Sequence, residues 1–233
     1  MNRDLLKRLV ATGQRHEPAV LLRGLGNGYQ VLIDDTGIHG DVAEIPAQLI
    51  ERGREALARD GAVTAEYANE HYLLQTFSSA PRLIIVGAVH IAQALIPMAR
   101  IAGYEVQLID PRTAFASPAR FPNTQISHEW PTEALQKLSP DSRTAVITLS
   151  HDAKIDDPAL QAALESDAFY IGALGSKRNH IRRLERLAEL GFSAETLARI
   201  AGPIGLPLGG RSPAEIAISI LAQITQSRYV RDY

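Results

Sequence analysis

The chain has 233 residues, 45% of them hydrophobic and 21% charged, which is typical of a globular protein with one large domain or two small ones. Its formal net charge of −2 argues against a general binder of nucleic acid or of a membrane surface. It contains no cysteine, which excludes disulfides, thiolate metal sites and a cysteine nucleophile.

The sequence also predicts where the protein resides. No apolar run approaches the roughly 20 residues that a membrane-spanning helix needs. The N-terminal stretch MNRDLLKRLVATGQRHEP lacks the apolar centre and the small-residue cleavage site of a secretory signal. We therefore expect a cytoplasmic protein that binds neither a membrane nor nucleic acid.

Residues 1–78 predict a small α+β domain. Apolar residues at helical spacing indicate a first helix over residues 3–13. Two β-hairpins are predicted, AVLLRGLGNGYQVLID around its Gly-Asn-Gly turn and AVTAEYANEHYLLQTF around Asn69. Between them, EIPAQLIERGREALARD predicts a second helix that Gly61 closes. The stretch SSAP then marks the junction with a second domain, residues 79–233.

In this second domain, strands alternate with helices. The apolar strands RLIIVG, YEVQLID, RTAVITLS and AFYIGAL are each followed by a helical segment, and the helices SAETLARIAG and SPAEIAISILAQITQSRY come last. This alternation predicts an α/β fold, a Rossmann-like parallel sheet with helices on both faces. We expect Pro97 to bend or break the first of these helices, and Ser212 with Glu215 to form a capping box.

The turn after RLIIVG resembles a dinucleotide-binding loop with one residue changed. Gly87 and Ala92 fill the first and third places of G-x-G-x-x-G/A, but Val89 stands in the second, where its side chain would crowd a pyrophosphate. Asp110 follows at the distance of the acidic residue that binds a ribose. His90 either caps or packs the helix start, or donates to a ligand above the sheet. We expect ordinary dinucleotide binding to be lost or displaced.

A second candidate site is the turn in YIGALGSKRNHIRRLER, where a strand leads through Gly172 and Gly175 into a helix. Ser176 is the predicted N-cap, and Lys177 and Arg178 occupy the first turn, where cations are unfavourable unless an anion binds. Further along, arginines recur every four residues. That stretch is either part of an anion site or a solvated basic face partly neutralised by acidic neighbours, namely Arg178, Arg182 and Arg186 with Glu185 and Glu189.

A third candidate site lies in AGPIGLPLGGRSPAE, again a glycine-rich turn before a helix. Gly209 and Gly210 permit close approach of another group, and Arg211 stands just before the N-cap. The segment is either a simple connection between two helices or a second place where a negatively charged partner binds.

A fourth candidate site is ITLSHDAKIDDPAL, which places His151 and Asp152 at the carboxyl end of a strand, where open α/β sheets bind ligands. With Asp156, these residues could bind a metal or transfer a proton, or they could form hydrogen bonds that hold the loop. Asp157, followed by Pro158, is the predicted N-cap of the next helix.

Taken together, these segments resemble the XdhC/CoxI family of accessory proteins for molybdenum hydroxylases. The matching stretches cover most of residues 82–225 in family order. They are LIIVGAVHIAQAL, VQLIDPR with ARFP after it, ITLSHD, YIGALGSKRNHIRRLERL and GPIGLPLGGRSPAEIAISILAQI. The match in VQLIDPR adds Arg112 to the candidate cofactor-binding residues.

The resemblance implies a maturation chaperone rather than a turnover enzyme. Such a protein binds molybdenum cofactor, an anionic pterin with a phosphate that is sometimes extended by a nucleotide. It protects the cofactor while a sulfido ligand is installed, and hands it to a xanthine dehydrogenase-like enzyme. A cysteine desulfurase would be a second partner. Apolar helices near the C-terminus suit either a homodimer contact or the core.

The sequence departs from the family in two places. The family loop usually has glycine where Val89 stands, and family members commonly carry a cysteine-containing motif in an N-terminal region. Without cysteine, the chain cannot ligate molybdenum or relay sulfur through a thiol of its own. Two alternatives remain: an NAD(P)-dependent oxidoreductase that uses Asp110 on a ribose and His151 as acid or base, and a nucleotide-sensing Rossmann protein.

Overall fold

The computed structural model of the chain describes residues 2–15, 17–57 and 61–229. Its contacts divide into two compact units, Met1–Ser79 and Ala80–Tyr233. Within these described ranges, no helix combines the length and apolar character that crossing a membrane requires.

In its described residues, the first unit is a five-stranded antiparallel sheet, in the order β3-β2-β1-β5-β4, with two α-helices and a short 3-10 helix at Val42–Glu44. Along the chain its elements are α1 (Arg3–Gln14), β1 (Ala19–Gly24), β2 (Gln30–Asp34), β3 (Gly37–Gly40), α2 (Ala47–Ala56), β4 (Ala62–Tyr67) and β5 (Glu70–Phe77). The first helix and both predicted hairpins, β1–β2 and β4–β5, are confirmed. The prediction missed β3 because four residues with a glycine at each end carry no clear alternation.

Both faces of β1 are buried, which explains its continuous apolar run. Val20 and Leu22 pack in the cluster that contains Leu49 of α2, whereas Leu21 packs in the cluster that contains Leu5 of α1. One helix therefore covers each face of the sheet.

The predicted role of Gly61 is wrong. Helix α2 ends at Ala56, where the Leu57 amide bonds back to the carbonyl of Gly53, so the helix closes before Gly61 is reached. Residues 58–60 lie outside the described ranges. Gly61 has a φ of +125°, and its carbonyl accepts a hydrogen bond from the Thr76 amide. It therefore leads the chain into β4.

The second unit is a six-stranded parallel sheet in the order β11-β10-β9-β6-β7-β8, the strand order of a Rossmann fold. Its strands are β6 (Arg82–Val86), β7 (Glu105–Ile109), β8 (Gln125–Ser127), β9 (Thr144–Thr148), β10 (Tyr170–Ala173) and β11 (Ile200–Ala201). Its helices are α3 (His90–Ile101), α4 (Pro131–Leu138), α5 (Ala153–Leu164), α6 (Lys177–Glu189), α7 (Ala194–Leu197) and α8 (Pro213–Tyr229).

Helices cover both faces of this sheet, as predicted. One core cluster contains Leu95 of α3 and Ile220 of α8, and the other contains Leu135 of α4, Leu160 of α5 and Leu187 of α6. Three apolar residues of α8, Ala217, Ile220 and Ile224, thus contribute to the core, whereas Ile218 is exposed. The order of the strands changes direction between β6 and β9, and ligands of open α/β sheets bind beyond the carboxyl ends of the strands at such a point.

The lengths of α3 and α7 show how far local sequence signals act. Pro97 has no N–H and so leaves one carbonyl of α3 unbonded, but the helix continues to Ile101; the proline lies on the exposed face, where that carbonyl can reach water. The predicted helix SAETLARIAG is only the four residues Ala194–Leu197, because Ile200 and Ala201 instead pair with β10 as an edge strand. Tertiary pairing therefore overrides a short helical pattern.

Candidate functional site

The turn between β6 and α3 lies against the loop that follows β9. Gly87 has a φ of +110°, and a Cβ on it would lie 2.7 Å from the backbone nitrogen of Ser150. Glycine is therefore required here by the neighbouring loop, whether or not a pyrophosphate binds. The close approach holds together the two loops that flank the change in strand direction.

Two charged side chains fix the residue after this glycine. The amide of Ala88 donates to Asp110 Oδ2 (2.8 Å), and its carbonyl accepts from Arg120 Nη1 (3.0 Å). The Arg112 guanidinium also donates to Asp110 through Nε (2.9 Å) and Nη2 (2.8 Å). Asp110 is fully buried, so its carboxylate positions the turn instead of facing a ribose. Arg120 lies within the ARFP stretch, where no sequence pattern indicated a role for it.

The bracing of this turn gives a pH prediction. Burial alone would raise the pKa of Asp110, but hydrogen bonds from Arg112 and from the amides of Ala88 and Arg112 lower it below its usual 3.8. A lowered pKa means that the carboxylate stabilises the folded state above about pH 4, and that this contribution is lost as the pH falls through the folded-state pKa. We expect Asp110→Asn to be less stable than wild type at neutral pH, with the difference narrowing in acid.

The measurement is urea unfolding of both proteins from neutral pH to about pH 3. A stability difference that stays constant over this range would show that the charge of Asp110 does not brace the turn.

The start of α3 is open. Val89 is the N-cap residue and has no side-chain oxygen to accept from the helix amides, while part of its side chain packs on the core. His90, the first helical residue, is exposed. His90 therefore neither caps the helix nor packs in the core, and it remains available to a ligand.

The predicted N-cap of the helix after β9 is wrong. Asp152, not Asp157, is the N-cap of α5, because its Oδ1 accepts from the Lys154 amide at 3.0 Å. Asp157 lies within the helix and receives two hydrogen bonds from Arg186, at 2.6 and 2.9 Å. An aspartate followed by proline is typical of a helix start, but α5 begins at Ala153, so Asp157 lies in its second turn.

His151 is exposed and has a φ of +60°, which is uncommon for a residue other than glycine. It does not form a metal site with Asp152 and Asp156, since no group of three His, Asp or Glu side chains in the described parts of the chain is arranged to hold a metal ion. Asp156 instead accepts from the Oγ of Ser150 (2.6 Å). The hydrogen bonds of Asp152 and Asp156 thus hold the loop.

The turn between β10 and α6 has its predicted cap. The amide of Asn179 donates to Ser176 Oγ at 3.2 Å. Gly172 is required by packing, because a Cβ on it would lie 2.5 Å from the Cδ1 of Ile204. Gly175 has a φ of +146°. The first-turn cations Lys177 and Arg178 are exposed at the carboxyl edge of the sheet.

A cleft of about 190 Å³ opens at this edge; we call it the α5–α6 cleft. It is lined by residues from the loop after β9, from α5 and from α6, namely His151, Ala153, Asp156, Asp157, Leu174, Asn179, Arg182, Arg183 and Arg186. Lys177 and Arg178 do not line this cleft. The structure therefore brings His151 together with the later part of the basic helix, and it adds Asn179 and Arg183, which the sequence pattern did not reveal.

Arg183 and Asp156 form the buried part of the cleft. Arg183 is 5% exposed and Asp156 1% exposed. Arg183 Nη2 donates to the Leu174 carbonyl (2.9 Å) and lies 3.7 Å from Asp156 Oδ2. Burial raises the pKa of Asp156, although Ser150 and Arg183 oppose this, and burial lowers the pKa of Arg183. Each group is thus a charge held at some cost inside the protein.

The glycine-rich segment before α8 forms hydrogen bonds with the first turn of that helix. The Glu215 carboxylate accepts from the amides of Arg211 (3.0 Å) and Ser212 (2.9 Å), and the Glu215 amide donates to Ser212 Oγ (3.3 Å), which confirms the capping box. A Cβ on Gly210 would lie 2.4 Å from the Cβ of Glu215, so Glu215 is the closely approaching group. An anion at this helix end would meet a carboxylate already in place. The Arg211 residue is exposed.

The strand order and the braced turn define a Rossmann domain whose phosphate-binding loop has been altered. Residues 83–224 match the family described as the XdhC Rossmann domain, and the chain therefore belongs to this family. The resemblance seen in the sequence is confirmed.

Two curated relatives and one solved structure support this assignment. The chain is 38% identical over 152 residues to the molybdenum cofactor insertion chaperone PaoD of Escherichia coli K12 (65% of this chain, 42% of PaoD). It is 25% identical over 206 residues to a probable xanthine dehydrogenase subunit of Bacillus subtilis 168 (87% of this chain, 58% of that protein). It therefore spans about half the length of these relatives.

The similar crystal structure is that of a xanthine dehydrogenase from Bacillus halodurans. It superposes with a TM-score of 0.72 at 25% identity, covering 99% of this chain and 65% of that one. The similarity includes both units of the chain, the antiparallel sheet as well as the Rossmann domain.

Proposed function

We propose that the protein is an accessory factor that binds molybdenum cofactor, protects it during sulfuration and delivers it to a xanthine dehydrogenase-like molybdenum hydroxylase. The observation that carries the proposal is the 38% identity to a molybdenum cofactor insertion chaperone, over a segment as long as the Rossmann unit. The similarity to a probable component of a xanthine dehydrogenase supports the same kind of client.

The carboxyl edge of the Rossmann sheet fits such a cargo. Exposed cations and imidazoles follow three of its strands: His90 after β6, His151 after β9, and Lys177 with Arg178 after β10. The carboxyl ends of parallel strands share one edge, so these residues follow strands that end at the same edge of the sheet. An anionic pterin with a phosphate needs this kind of surface and no reactive side chain. With no cysteine in the chain, sulfur would come directly from a cysteine desulfurase partner.

The alternative of an NAD(P)-dependent oxidoreductase has less support. It needs Asp110 to bind a ribose, but that carboxylate is buried against Ala88 and Arg112. It also needs room for a pyrophosphate at the β6–α3 turn, where Val89 stands and the Ala88 amide is already bonded. Both contacts favour a cargo held elsewhere on the sheet edge.

Cofactor retention tests the proposal. Cofactor released from a molybdenum enzyme is mixed with the purified chain, and molybdenum and pterin are measured in the protein peak after gel filtration. We expect wild type to retain both, and Lys177→Ala with Arg178→Ala to lose at least about 90% of the retention, since two charge-assisted contacts are removed.

The matched control is Arg3→Ala with Lys7→Ala, which removes the same charge from two exposed positions of α1. It should retain the cofactor as wild type does. Failure of wild type to retain cofactor, or an equal loss in both double variants, would contradict the proposal.

A further inference from the structure

The α5–α6 cleft contains polar atoms that the protein leaves without partners. Arg183 Nε and Nη1 and Asp156 Oδ2 are buried and have no hydrogen-bond partner among the described residues. A buried donor left without a partner destabilises the folded protein, and it does so most when it belongs to a charged group. A ligand that accepts from Arg183 would remove that cost, so these atoms indicate a place for a hydrogen-bonding guest.

The charges that line the cleft favour an anion. Three arginines, Arg182, Arg183 and Arg186, stand against Asp156 and Asp157, which leaves one excess positive charge when His151 is neutral. Arg186 is already paired with Asp157 through two hydrogen bonds. Arg183 and Asp156 balance each other in charge. Arg182 is exposed at the mouth of the cleft and has no salt-bridge partner in the described ranges, so the excess positive charge belongs to Arg182.

The two helices add to this field. The lining includes Ala153, the first residue of α5, and Asn179, the third residue of α6, so the cleft lies where both helices begin. The amino-terminal end of a helix carries a partial positive charge that stabilises anions. The side chain of Asp156 repels an anion less when it is protonated. Burial raises the pKa of Asp156 and therefore favours the protonated form.

We propose that the α5–α6 cleft binds a phosphate monoester group, with Arg182 and Arg183 as donors to its oxygens. The anion site of this Rossmann domain would thus be displaced from the β6–α3 turn, where Val89 stands, to the space between α5 and α6. The claim that this phosphate belongs to molybdenum cofactor rests on the proposed function. The claim that the cleft binds a phosphate group depends only on the geometry of the cleft.

The size of the cleft agrees with a group rather than a whole cofactor. Its 190 Å³ is below the roughly 300–1,000 Å³ of pockets that enclose complete small ligands. It holds about six waters by volume, enough for a phosphate and the first atoms of its ester. The rest of the ligand would lie outside, along the sheet edge.

The test is a titration of the full chain with inorganic phosphate. NMR monitors it through the chemical shifts of the Asn179 amide and the Arg183 Nε–H. We expect both signals to shift with one saturating curve in wild type. Arg182→Ala should weaken phosphate binding about tenfold, the effect of losing one charge-assisted hydrogen bond. Arg183→Lys keeps the charge but loses the planar set of donors, and it should weaken binding similarly.

Lys154→Ala is the matched control, since it removes an exposed cation of the neighbouring helix α5 that does not line the cleft. It should bind inorganic phosphate as wild type does. The proposal is overturned if neither signal responds in wild type, if Arg182→Ala and Arg183→Lys bind normally, or if Lys154→Ala loses as much affinity as they do. Should that happen while wild type still retains molybdenum cofactor, the cleft proposal fails and the proposed function remains.

Discussion

Gly87→Ala should destabilise the Rossmann unit by about 3 kcal/mol. A φ of +110° costs a residue with a Cβ about 1–3 kcal/mol. The added carbon would also lie 2.7 Å from the backbone nitrogen of Ser150, and a backbone atom cannot swing away as a side chain can. Both terms act on the loops that adjoin the change in strand direction.

The measurement is urea unfolding followed by the fluorescence of Trp130, the only tryptophan of the chain, which lies in this unit. Gly103→Ala is the control, because Gly103 has a φ of +86° but a Cβ there would meet no described atom within 4 Å. It should cost about 1 kcal/mol. Equal losses in the two variants would contradict the contact between Gly87 and the loop after β9.

Arg183→Met should destabilise the protein by about 3–5 kcal/mol, the usual cost of removing one partner of a buried ion pair. The change leaves Asp156, only 1% exposed, without its nearby cation, and it leaves the Leu174 carbonyl without its donor. Chemical unfolding of the variant at neutral pH measures the loss.

A second substitution separates charge from packing. Asp156→Asn added to Arg183→Met removes the uncompensated carboxylate, so the double variant should regain much of the lost stability. Arg182→Ala, at an exposed position of the same helix, should change stability by less than about 0.5 kcal/mol. If Arg183→Met unfolds at the same urea concentration as Arg182→Ala, then Arg183 and Asp156 do not form a stabilising buried ion pair.

Most of the fold could be predicted from the sequence because its signals are local and agree with one another. The apolar run of β6, the hairpin turn at Asn69 and the capping box at Ser212 each specify one backbone geometry. The short strands β3, β8 and β11 could not be predicted, because only their neighbours in the sheet make them strands. For the same reason, the length of α7 was overestimated.

The candidate site is harder to predict, because glycine and aspartate occur in the same sequence patterns whether they contact a ligand or another part of the protein. The turn patterns predict Gly87, Gly172 and Gly210 as ligand-binding residues, yet a Cβ on each would lie within 3 Å of another atom of the protein. Asp110 has the spacing of a ribose ligand but faces inward onto a backbone amide.

The sequence does not indicate a role for Arg183, for a different reason. The four-residue spacing of Arg178, Arg182 and Arg186 marks one face of α6. Arg183 lies one position further round, on the face that packs against α5, and a sequence pattern gives no sign that a charged residue there is buried.

The central claim is that the carboxyl edge of the Rossmann sheet holds a phosphorylated cofactor. A crystal structure of the chain with bound molybdenum cofactor tests it most directly. The account predicts density for the pterin phosphate at the ends of β9 and β10, within hydrogen-bond distance of the cations of α6. Cofactor bound to residues 1–79, or to the Rossmann unit away from this edge, would contradict it.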